Sequence, residues 1–294
     1  MKGNQWPLVL FTVLTQWGVG LLLISGVIRF ILADQLNDTQ ADLFAGTVAL
    51  LVICLTLIGM MTSLLHLGSP RNAYRAVLNL GSSWLSAEIL LVLIFLLAAI
   101  GYGVSLWSGS HLTRFSTIVF WIGSGLGLFL VFVMTNVYRL KTVPTWNSPT
   151  TVFSFFKTVF LLGPLAAIAI LQVVQCVTLD NQLSNQTSSL TTIFSWVILS
   201  ALLLLVLDMM TTLQKGVSKK LSRAIAETRK SLYLRLFLIL AGLSLFSIPL
   251  FLDFSASASP ATASLVLGTA FLFILISELI DRKLFYASFE RAGL

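Results

Sequence analysis

Apolar residues fall in eight long runs: Pro7 to Leu32, Leu43 to Leu65, Trp84 to Trp107, Phe115 to Tyr138, Val152 to Val177, Leu190 to Leu213, Leu232 to Leu252 and Ala261 to Leu284. Short joints rich in Asn, Ser, Thr, Pro and Gly separate them. Each run matches the ~20 residues that an α-helix needs to cross ~30 Å of hydrocarbon, where lipid offers a free backbone amide no partner. The pattern predicts an all-α fold, a polytopic membrane helix bundle of about eight transmembrane helices formed by residues 1–294 as a single domain. The first run has no small-residue cleavage site and seven similar runs follow it, so it is read as a span and not as a secretory signal.

Composition sharpens this picture. With 57% apolar and 10% charged residues and a mean hydropathy of +0.96, the protein has too few polar groups to cover a water-soluble surface. Its net charge of +7 does not point to nucleic acid, since no joint is long enough to hold a basic domain. Cys54 and Cys176 both sit within apolar runs and are read as small buried residues. Two thiols cannot complete a zinc or iron–sulfur site that needs four ligands. Gly123, Gly125 and Gly127 fall mid-span, where close helix packing is the expected role.

Eight spans put the N-terminus, the even-numbered joints and the C-terminus on one side, called side A. Of the 18 Lys and Arg, only Arg29 and Arg114 belong to the opposite side B, which leaves 16 on side A. The positive-inside rule then assigns side A to the cytoplasm. Six of the ionisable groups within or at the ends of spans are singled out, His66, Glu88, Lys157, Asp208, Glu278 and Arg282, and all six fall toward side A. An ionisable side chain in lipid is costly unless it faces the bundle or water, so each is a site candidate. Taken singly, Lys157 is expected to snorkel to the headgroups. Asp208 reads as a helix-end carboxylate at the interface, and Glu278 with Arg282 as an i, i+4 pair. His66 is open between a helix cap and a site residue, whereas Glu88 is deeper and has no nearby sequence partner. His66 and His111 are the only histidines and lie on opposite sides, which excludes a bis-histidine haem.

Several strings carry a resemblance that runs essentially end to end. They are Trp6-Pro7-Leu8 with Phe11-Thr12-Val13 and Gln16, and His66-Leu67-Gly68-Ser69-Pro70. Further along come Val137-Tyr138 before Thr142-Val143-Pro144-Thr145-Trp146, and Glu278-Leu279-Ile280 followed by Arg282, Phe285 and Tyr286. In order and spacing they resemble the dimethyl sulfoxide reductase anchor subunit family. The resemblance implies a subunit of an anaerobic respiratory complex in the bacterial cytoplasmic membrane, with two partners: an iron–sulfur electron-transfer subunit and a molybdopterin catalytic subunit. It implies menaquinol as substrate, with no haem, iron–sulfur cluster or molybdenum in this chain and no terminal reduction by its own residues. It assigns quinol binding and proton transfer to His66 and Glu88, around which Arg71, Arg75, Asp208, Glu278, Arg282 and Tyr286 are candidate supporting residues. It also places side A against a catalytic pair that is commonly exported, opposite to the charge rule. The segment from Lys215 to Lys230, with six basic residues, is where this sequence departs from the family pattern.

The mechanism expected from these residues has menaquinol entering sideways from lipid and binding near side A. His66 holds one ring hydroxyl and takes its proton, since an imidazole exchanges protons near neutral pH. Glu88 orients His66 or relays protons to the side A water. Arg71 and Arg75 either dock the iron–sulfur partner or merely anchor the protein at the interface. A purely structural anchor and a secondary transporter are the competing readings. The one-sided polar cluster argues against the transporter, which needs groups near the middle or on both sides.

Overall fold

The structure is a computed structural model, and it describes residues 5–31, 38–66, 83–107, 114–178, 195–197, 199–208, 210, 224–251 and 260–288. These form α1 (Trp6–Ile31), α2 (Asp38–His66), α3 (Trp84–Trp107), α4 (Arg114–Tyr138), α5 (Pro149–Thr178), α6 (Ser195–Asp208), α7 (Ala224–Phe251) and α8 (Pro260–Ala287). Among the described residues seven helices are long and apolar enough to cross a membrane; α6 is a shorter apolar helix, and the rest of its run lies outside the described residues.

Local chemistry sets several of the helix starts. Ser83 caps α3 by accepting the amide of Ser86, and Ser148 caps α5 by accepting the amide of Thr150 at 3.1 Å. Proline opens both α5 and α8, at the position where a missing N–H costs nothing. The outward faces carry Leu97, Ile118, Trp121, Leu203, Phe237 and Leu265, all exposed, as expected of side chains solvated by lipid.

Helix α1 is the hub, packed along α2 and α5 and touching α4 and α8, while α7 joins the bundle chiefly through α8. Cross-helix contacts fix the alternating directions read from the sequence. On side A, Trp6 at the start of α1 meets Lys283 near the end of α8, and Trp84 at the start of α3 meets Phe132 late in α4. On side B, Arg29 near the end of α1 donates to the Tyr102 hydroxyl near the end of α3 at 2.9 Å, and Gln40 in α2 donates to Thr178 at the end of α5 at 3.3 Å.

The tightest crossing lies elsewhere than at the three glycines of α4. A Cβ on Gly20 of α1 would fall on the Val159 carbonyl of α5, and one on Gly163 would fall on the backbone of Gly20. Backbone meets backbone here because neither residue has a side chain. Gly127 is also close-packed, against Val19 and Phe95, but Gly125 has open space beside it and plays no packing role. Gly163→Ala is therefore expected to cost about 1–3 kcal/mol by overpacking, seen as a lower unfolding temperature in detergent, while Gly125→Ala changes little.

Cys54 is exposed and Cys176 partly so, which corrects their reading as buried. Both sit on spans whose outer surface is apolar, so an outward-facing thiol suits the same composition that suggested a core.

Candidate functional site

Charged side chains meet where α5, α6, α7 and α8 come together toward side A. The Lys157 ammonium lies 2.8 Å from Glu278, 2.9 Å from Asp281 and 3.4 Å from Asp208. Arg235 donates to Asp208 through Nη2 and pairs with Asp281 through Nη1 at 2.9 Å, with Glu278 at 3.8 Å. The Thr158 hydroxyl donates to Glu278 Oε2 at 2.8 Å. With the adjacent Arg282 included, three cations balance three carboxylates. In a medium where an unpaired charge costs several kcal/mol, neutrality over the whole group is what makes its burial tolerable.

This geometry corrects three expectations. Lys157 does not snorkel; its side chain is fully buried and held by carboxylates. Asp208 is not an interfacial carboxylate but a buried partner of Lys157 and Arg235. Glu278 and Arg282 are linked through the Thr158 hydroxyl rather than by the direct pair their i, i+4 spacing suggested. Arg282 instead donates through Nη2 to Gln16 Oε1 at 2.8 Å, to Thr158 Oγ1 at 3.2 Å and to the Ser154 carbonyl at 3.4 Å, with its guanidinium stacked 3.8 Å over Phe155.

Beside Arg282, aromatic rings close the side A end. Tyr138, Trp146, Phe155, Phe285 and Tyr286 pack with centroids 5.3–6.1 Å apart. The joint between α4 and α5 clasps the end of α8: Trp146 Nε1 donates to the Phe285 carbonyl at 3.0 Å and the Thr145 hydroxyl to the Ser288 carbonyl at 2.9 Å. Tyr286 reaches α1 through Thr12 at 3.5 Å. Trp146→Phe is expected to cost about 1 kcal/mol for the lost hydrogen bond, measured as a small drop in unfolding temperature.

Glu88 stands apart from the ion pairs. It is buried, its Oε1 has no hydrogen-bond partner among the described residues, and it interacts electrostatically with Tyr138 and Tyr286. His66 ends α2 in the helix, but its side chain lies outside the described residues, as do Arg71 and Arg75. Of the predicted site residues, then, Asp208, Glu278, Arg282, Tyr286 and Glu88 lie toward the side A end, and Glu88 takes no part in the salt bridges among the described residues.

Sequence reasoning missed Arg235, Asp281 and Gln16 as members of this end. Arg235 falls inside the seventh apolar run, Leu232 to Leu252, but comes directly after the six basic residues of the preceding joint and was not singled out. Asp281 adjoins Arg282, yet its i, i+3 spacing from Glu278 puts both carboxyls on neighbouring faces of α8, and that spacing was a usable signal. Among the described residues no group of His, Cys, Asp and Glu is arranged to hold a metal ion.

The profile of the family described as DMSO reductase anchor subunit (DmsC) matches residues 1–288. The protein is 31% identical to the anaerobic dimethyl sulfoxide reductase polypeptide YnfH of Escherichia coli, over 99% of its own length and 97% of the relative's. It is 36% identical to a second anaerobic dimethyl sulfoxide reductase polypeptide of the same organism, over 55% of its length and 56% of the relative's. With a sulfite dehydrogenase subunit of Allochromatium vinosum it shares 27% identity over 50% of its length and 49% of the other's.

Proposed function

This chain belongs to the DMSO reductase anchor subunit family, and from that membership we propose that it oxidises menaquinol at its side A end and hands the electrons to an iron–sulfur partner. It is an integral membrane protein. In the proposed complex, set in the bacterial cytoplasmic membrane, the iron–sulfur subunit docks on side A and a molybdenum-cofactor subunit performs the terminal reduction.

The observation that supports quinol chemistry is the buried, unpaired carboxyl of Glu88. A carboxyl engaged with Lys157 or Arg235 cannot take up a proton without breaking a pair that holds helices together. Glu88 has no ion pair among the described residues, so it is free to receive a proton and release it. Oxidation of one quinol yields one quinone, two electrons and two protons. The electrons pass to the partner, and the protons pass to His66 and Glu88 and then to water at side A.

The test follows reduction of the partner's iron–sulfur chromophore by a menaquinol analogue in membranes holding the assembled complex. Reduction is expected with this protein present and none without it, although a dye donor still drives the catalytic pair. Quinol-driven reduction of equal rate in its absence removes the proposal; a protein that anchors its partners but supports no quinol-driven reduction is a structural anchor only. Tyr102→Phe at the far end supplies a positional control. It breaks the Arg29 bond, costs about 1 kcal/mol, and is expected to leave quinol turnover unchanged.

A further inference from the structure

We propose that the groove between α6 and α7 holds one acyl chain of an anionic phospholipid from the side A leaflet, with its head group against the basic residues that open α7. This goes beyond the quinol reading and stands whether or not that reading holds.

The groove is a cavity of about 140 Å³ walled by Leu202 and Val206 of α6 and by Leu232, Leu236, Leu240 and Leu243 of α7. Leu202, Val206 and Leu240 are exposed, so it opens to the surrounding hydrocarbon. Apolar walls offer water no partner, and in a bilayer the filler of such a space is a hydrocarbon chain. Its length fits one leaflet. From Leu232 to Leu243 α7 rises about 16 Å, close to half of the ~30 Å hydrocarbon core. The groove therefore runs from the side A boundary to the middle of the membrane. Tyr233, exposed beside the mouth, marks that boundary as aromatic residues at a membrane surface do.

The mouth selects the head group. Leu232, Leu236, Leu240 and Leu243 recur along α7 at steps of three and four, and the same backbone register reaches Arg229 one turn earlier. Lys230 follows it and is exposed. With four more basic residues earlier in the joint, these make the six that the sequence gathers from Lys215 to Lys230 against a single acid, Glu227. Beside a span, each such residue strengthens the hold on anionic lipid about fivefold, equivalent to about 1 kcal/mol. One turn deeper, Arg235 lines the groove and is buried. Its terminal nitrogens pair with Asp208 and Asp281, while its Nε has no acceptor among the described residues. The glycerol ester carbonyl of a diacyl lipid, just below the phosphate, supplies one. A quinol brings neither a charge for the mouth nor an ester for Arg235.

The test titrates the purified full chain in detergent with dioleoyl phosphatidylglycerol or dioleoyl phosphatidylcholine and counts the retained lipid by native mass spectrometry. Wild type is expected to retain phosphatidylglycerol with about twentyfold preference. Arg229→Gln and Lys230→Gln are each expected to lower that preference about fivefold without weakening phosphatidylcholine. Leu240→Trp fills the groove and is expected to weaken both lipids. Should it fail to accumulate, Leu202→Trp on the facing wall gives the same comparison. Equal retention of the two lipids by wild type, or a preference that survives removal of both charges, overturns the inference. Loss of a partner subunit from membranes in those charge variants, with lipid preference unchanged, assigns the basic mouth to protein docking instead. Undiminished phosphatidylglycerol affinity in the filled groove overturns it as well, since the head group then clings to surface charge with no chain seated.

Discussion

Lys157→Met is expected to destabilise the folded protein by about 3–5 kcal/mol, the scale for removing one partner of a buried ion pair. Lys157 lies within 3.4 Å of Asp208, Glu278 and Asp281. Its loss leaves three carboxylates against two cations, Arg235 and the adjacent Arg282, in a medium that solvates none of them. Most small to mid-sized domains have only about 5–15 kcal/mol in hand, so the variant should accumulate poorly and unfold at markedly lower temperature in detergent. Pairing it with Glu278→Gln restores neutrality and should recover part of the loss. A double variant no more stable than the single one would show that the charges do not act as a set.

Glu88→Gln should behave in the opposite way. With no ion pair to break among the described residues, the amide leaves no stranded counter-charge, and the folded protein should accumulate at wild-type levels. Quinol-driven reduction, however, should fall about 10²-fold or more, the usual effect of losing a positioned proton acceptor. Dye-driven activity of the complex should be unaffected. His66→Arg, which removes the imidazole from the end of α2, is expected to abolish quinol-driven reduction with assembly intact. If both variants turn over quinol at the native rate, the proton acceptors are elsewhere.

The contrast between Lys157 and Glu88 shows where sequence reading worked. Runs of apolar residues gave the helices because lipid leaves the backbone no alternative, and alternating joints put the ionisable groups toward one edge. Which group pairs with which was not legible. Lys157 in isolation is a long cation near a span end, where reaching for the headgroups is the ordinary outcome. Its burial depends on Asp208, Glu278 and Asp281, which lie on two other helices. Likewise Glu278 and Arg282 are spaced for each other along α8, yet Thr158 on α5 bridges them and Gln16 on α1 takes a further bond from Arg282. Gln16 was noticed only within a resemblance string, because a carboxamide in a span carries no charge to draw attention.

Three of the four strings that carried the resemblance converge in space: Thr12, Gln16, Tyr138, Trp146, Arg282, Phe285 and Tyr286 belong to three separate stretches of sequence and meet at one end of the bundle. Single residues in single helices gave no hint of that meeting.

Lys157 and the Asp281 carboxylate that binds it are 124 positions apart in sequence. At about 5–20 residues per second of synthesis, roughly 6–25 seconds separate the appearance of the cation from that of its counter-ion. Asp208 of α6 is made within that interval and lies 3.4 Å from Lys157, but Arg235 of α7 follows and binds the same carboxylate. Until the ribosome delivers Glu278 and Asp281 of α8 two cations share one counter-ion, so a polypeptide stopped short of its last helix is left with excess positive charge among its spans.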